Sequence, residues 1–84
     1  MTIKDDLKKF VLDAIDAKGG QANLVEVAKF IWDTHQDELR ASGEGFYTWQ
    51  YDMRWAAQYL RDEGVLMGAD LTPRGVWKRQ TAVV

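Results

Sequence analysis

With 84 residues, 46% of them hydrophobic and 12% aromatic, the chain has the length and apolar content of one small globular domain, 1–84, and no length for a second. The absence of cysteine excludes disulfide staples, Cys-ligated zinc and thiol catalysis, and points to a reducing, cytoplasmic setting. A net charge of −2 runs against the basic surplus usual in nucleic-acid binders, although residues 1–45 carry six Lys/Arg against nine Asp/Glu and residues 46–84 carry five against four. An anionic partner is therefore expected to meet the second half. Apolar runs are only a few residues long and the opening "MTIKDDLKK" mixes both signs of charge, so neither a membrane span nor a signal peptide is expected.

The first helix is signalled by Thr2 and Asp5 in capping-box spacing. Ile3, Leu7, Phe10, Val11, Ala14 and Ile15 then recur at helical intervals up to Lys18, before Gly19-Gly20. Gly19 to Ala22 leave room for a turn and one short strand. Asn23 and Glu26 form the next capping pair, ahead of an apolar stripe of Leu24, Val27, Ala28, Ile31 and Trp32. Beyond it the polar run "DTHQDELRA" either continues this helix to Ala41 or breaks it near Thr34. "SGEG" (residues 42–45) reads as a loop, Thr48 as the cap of a third helix, and Gly64 as its stop after Glu63.

After Gly64 the pattern changes to two short β-prone runs, Val65-Leu66-Met67 and Val76-Trp77-Lys78-Arg79. Between them Thr72-Pro73-Arg74-Gly75 has the residues of a type I turn. A C-terminal hairpin is expected, with residues 80–84 fraying. Three helices closed by a small hairpin give a mainly α (α+β) architecture, the layout of a winged helix-turn-helix.

On the third helix, at about 100° per residue, setting Gln50 at zero puts Arg61 at about 20°, Arg54 at about 40° and Gln58 at about 80°. The apolar arc of Trp49, Met53, Trp55, Ala56, Tyr59 and Leu60 lies opposite. Arg matches a guanine edge or a phosphate with two donors and Gln matches an adenine edge, so the stripe has the chemistry of a major-groove reader. Any amphipathic helix must also show polar residues to water, and Arg and Gln serve that purpose equally. Arg74 at the hairpin tip and Lys78 and Arg79 on its return strand add cations suited to the flanking phosphates of double-stranded DNA. Asp52, Asp62, Glu63 and Asp70 weaken that field, so modest and salt-sensitive binding is expected.

The segment "MRWAAQYLRDEGVL" followed by "RGVWKR" resembles the amino-terminal winged-helix domain of Mrr-type restriction proteins. Trp55-Ala56, Tyr59-Leu60, Gly64 and Arg74-Gly75-Val76-Trp77 carry the likeness, which is close over the second half and limited to helix order in the first. The resemblance implies a DNA-recognition module. The family's nuclease domain does not fit in this length, so cleavage is not implied.

A second surface competes with the first. Tyr51, Trp55 and Tyr59 advance about 40° per step along one edge of the third helix. They either pack against the first helix or form a protein-interaction or dimerisation patch, which would suit an acidic chain. His35 with Asp33 and Asp37 scatters around its helix instead of converging on a metal. No nucleophile has an evident base and no glycine-rich phosphate loop follows a strand, so neither enzyme activity, nor a cofactor, nor a small-molecule substrate is expected.

Overall fold

The computed structural model describes residues 3–80. In chain order it consists of α1 (Ile3–Ala17), β1 (Gln21–Asn23), α2 (Leu24–Ala41), α3 (Gly45–Asp62), a 3₁₀ turn (Ala69–Leu71) and β2 (Val76–Lys78). The fold is mainly helical, with a small two-stranded antiparallel sheet. Thr2, proposed above as a cap, and residues 81–84 of the expected frayed tail lie outside the described residues; Gln80 itself donates its backbone N–H to the Val65 carbonyl at 2.9 Å.

The periodic apolar positions of α1 become its buried face, with Leu7, Phe10, Val11, Ala14 and Ile15 in one core with Val27, Ile31 and Leu39 of α2 and Met53, Ala56, Ala57 and Leu60 of α3. The α2 start forms as its sequence dictates: Asn23 Oδ1 accepts from the Glu26 N–H at 2.8 Å, and Glu26 Oε1 accepts from the Asn23 N–H at 3.0 Å. Two orphan donors of the helix end are thereby satisfied. Of the two courses open for residues 33–41, the chain takes an intermediate one. The helix runs on to Ala41 but kinks at His35 (φ −120°, ψ 26°), whose ring stacks on Phe10 with centroids 3.7 Å apart. Beyond the kink, Leu39 is again fully buried.

Two boundaries differ from expectation. The third helix starts at Gly45, three residues before Thr48, because the chain turns at Gly43 (φ 67°), Glu44 already has helical angles (φ −61°, ψ −30°), and Phe46 is drawn toward Trp32 (centroids 6.1 Å). The Thr48 hydroxyl does not cap; it donates to Asp52 Oδ2, one turn on, at 3.0 Å. The expected hairpin is reduced to one bridge, Leu66 with Arg79, while the principal partner of β2 is β1, in the register Gln21 with Lys78, Ala22 with Trp77 and Asn23 with Val76. The end of α3 explains why. Gly64, at φ 78°, allows a Schellman cap in which the Val65 N–H returns to the Leu60 carbonyl (2.9 Å), and the Leu66 N–H goes to that same carbonyl (3.1 Å). Only Met67 then donates to β2, through Lys78 O at 2.8 Å.

The turn before β2 is also shifted by one residue. The Val76 N–H donates to Pro73 O at 3.1 Å, so the turn is Pro73–Val76 with Gly75 (φ 80°) third, where a type II turn requires a positive φ. Arg74 therefore occupies the exposed second corner.

Candidate nucleic-acid interface

Helix α3 buries Trp49, Asp52, Met53, Ala56, Ala57 and Leu60 and turns its opposite side to solvent. Gln50, Arg54 and Gln58 are exposed there, as their spacing dictates. Gln58 Nε2 donates to Asp62 Oδ1 at 3.0 Å, a turn further along, which holds its carboxamide along the helix.

Arg61 behaves differently from the other members of its stripe. It is half-buried, and its guanidinium donates from Nε to Met67 O (3.2 Å) and from Nη2 to Val76 O (3.1 Å) and Thr72 Oγ1 (3.4 Å). These acceptors lie on both arms of the segment between Met67 and Val76. Arg61 thus fastens that loop to α3, and its donors are engaged inside the protein.

The result is an open groove between α3 and the loop, lined by Leu24, Arg54, Gln58, Arg61, Arg74, Gly75 and Trp77. Three arginines and no acidic residue line it, in a protein with more acidic than basic side chains, although the Arg61 donors are turned to the loop and Asp62 holds Gln58. Four of the seven residues singled out from sequence, Arg54, Gln58, Arg61 and Arg74, meet at this groove, with Gln50 one turn before Arg54. Lys78 is exposed on β2, on the side opposite the buried Trp77. Arg79 is not part of this set. It reaches back to the end of α1, where Nε and Nη2 donate to the two carboxylate oxygens of Asp16 at 3.0 and 3.2 Å.

Tyr47 is a member of the exposed face that sequence reasoning missed. With α3 beginning at Gly45, Tyr47 falls at about 60° on the wheel that places Gln50 at zero, in the middle of the stripe. It is 86% exposed. Its signal in the sequence was hidden by Gly43 and Gly45 just before it.

The aromatic edge Tyr51, Trp55 and Tyr59 does not form one patch. Trp55 and Tyr59 pair with centroids 5.7 Å apart, and Lys8 of α1 lies over them, 3.8 Å from the Tyr59 ring centre and 5.4 Å from that of Trp55. The cation–π contact and the lysine stem cover this pair from the α1 side. Tyr51, 76% exposed, instead borders a hollow between α2 and α3 with Leu24, Val25 and Arg54.

Among the described residues no three His, Cys, Asp or Glu side chains gather as metal ligands, and no helix is long and apolar enough to cross a membrane. No protein-family model, no curated protein and no solved structure matches the chain.

Proposed function

We propose that this chain is a winged-helix module that binds double-stranded DNA, with α3 entering the major groove and the Pro73–Val76 turn beside it on the phosphate backbone. The observation that carries the reading is the groove between α3 and the loop, which Arg54, Arg61 and Arg74 line with no acidic residue among them. The resemblance of the second half to the Mrr-type amino-terminal domain, carried mainly by core and turn residues, supports the winged-helix part of this proposal more than the DNA part. Gln50, Arg54 and Gln58 take the base-facing positions, since their planar donor and acceptor groups suit base edges. Arg74 and Lys78 take phosphates, which position a protein without specifying sequence. Arg61 is a positioning residue: its bonds to Met67 and Val76 set the loop at a fixed distance from the reading face. Arg79 leaves the set that sequence alone had assigned to DNA, because Asp16 already engages its guanidinium.

Cleavage is no part of this proposal. The net negative charge implies weak binding at physiological salt. Titration of a labelled random duplex tests the reading. The two phosphates assigned to Arg74 and Lys78 correspond to a log–log salt slope of about −1.8 and a loss of roughly 12-fold in affinity between 50 and 200 mM salt. Absence of binding at 50 mM, or binding that ignores salt, would overturn it.

A further inference from the structure

We propose that a second groove, between α2 and α3, docks an acidic amphipathic helix from a protein partner. The three most exposed large hydrophobic side chains among the described residues are Tyr47 (86%), Tyr51 (76%) and Val25 (73%). All three stand on the rims of this one groove, Val25 on α2 and the tyrosines on α3. Its floor is apolar throughout: aromatic at one end, where Trp32 stacks with both Phe46 (6.1 Å) and Trp49 (6.4 Å), and Ala28 and Met53 toward Leu24. A contiguous apolar surface of this kind marks an interaction site, whereas scattered exposed residues do not.

Charge and length identify the occupant. None of the residues lining the groove is a carboxylate, while cations stand at both ends. Arg54 is at the end near Leu24; Lys29 is toward the other, where Arg40 also lies over the Trp32 ring at 5.7 Å. Glu26 and Asp33 border a separate hollow with Lys18 and Phe30, and Lys29 lines both, standing between those carboxylates and the groove. From Leu24 to Trp32 the groove runs about 12 Å, or about two helical turns. An amphipathic helix with apolar residues at i, i+3, i+4 and i+7 fills such a trough, and carboxylates beside that stripe meet the terminal cations.

A second copy related by a two-fold axis is a poorer fit, because it sets the same cations against each other. Duplex DNA reaches the cations but leaves Phe46 and Val25 without apolar partners. A single strand can stack on the tyrosines and gains nothing from the aliphatic rim. Tyr47, Gln50 and Arg54 also belong to the face assigned to DNA, so helix and duplex contend for them; only this competition rests on the DNA reading, and docking does not.

The test is an NMR titration of the ¹⁵N-labelled chain with synthetic peptides. One is a helix with a leucine stripe flanked by Glu; another has Lys in place of every Glu; oligo(dT) is the nucleic-acid arm. The Glu peptide is expected to shift the amides of Val25, Tyr47 and Tyr51 and to bind at least about tenfold more tightly than the Lys peptide. Tyr47→Ala and Tyr51→Ala, which remove exposed side chains, are each expected to weaken it about fivefold or more without altering the melting temperature. Equal affinity for both peptides, no binding of either, or stronger shifts of these amides by oligo(dT) would overturn the proposal. Duplex binding is measured separately, so its failure is distinguishable from failure of docking.

Discussion

Arg61 on α3 donates to the backbone carbonyl of Val76 at 3.1 Å, fifteen residues later in the chain and on the far side of the loop. The same side chain holds Met67 O on the near side. One guanidinium therefore fixes both arms of the loop, which is why the face of α3 and the Arg74 turn form a single groove.

Arg61→Lys is expected to lower stability by about 1–2 kcal/mol, since an ammonium cannot reproduce a fork of donors and part-buried carbonyls lose their partner. Chemical denaturation checks this. The same variant is expected to weaken duplex binding through the loop, with the Arg74 and Val76 amides shifted in its spectra before DNA is added. A fully stable variant with an unmoved loop would show that Arg61 does not position it.

Arg54→Ala separates binding from folding. Arg54 is exposed and makes none of the bonds that hold the loop, so stability should stay within about 0.5 kcal/mol of the parent. Duplex affinity is expected to fall several-fold. A large loss of melting temperature would assign Arg54 to the fold.

Arg79→Ala is the contrasting case. Its pairing with Asp16 is about half exposed on both sides and contributes at most about 1 kcal/mol. Duplex affinity and its salt slope are expected to remain those of the parent. A slope reduced by about 1 would place Arg79 on phosphate after all.

Two local signals set the helix ends, and each has a measurable consequence. Asn23→Ala is expected to cost about 1 kcal/mol, from loss of the bond to the Glu26 N–H. Gly64→Ala is expected to cost about 1 kcal/mol as well, because φ 78° is strained for any side chain although nothing lies within 4 Å of the added methyl. Thermal melts of both variants check these values.

These two ends were legible because their causes are local. A capping pair three residues apart and a glycine after an apolar stripe act within a single turn, as does the 3.6-residue period that buries Leu7 through Ile15. The start of α3 was hidden because Gly43 and Gly45 have poor helix propensity, and the packing of Phe46 on Trp32 outweighs it. That shift concealed Tyr47. The pairing of β2 with β1 and the engagement of Arg79 by Asp16 join residues more than fifty positions apart, beyond anything periodicity records. The exposed stripe of Gln50, Arg54 and Gln58 was readable from the wheel. The inward turn of Arg61 was not, because it depends on where the loop comes to rest.

Chemical-shift mapping with a random duplex at low salt bears most directly on the interface. The largest changes are expected at Tyr47, Gln50, Arg54, Gln58 and Arg74, with the outward residues of α1, such as Asp13 and Asp16, unmoved. Changes concentrated on α1, or a spectrum that stays the same at saturating duplex, would contradict the assignment of this face to DNA.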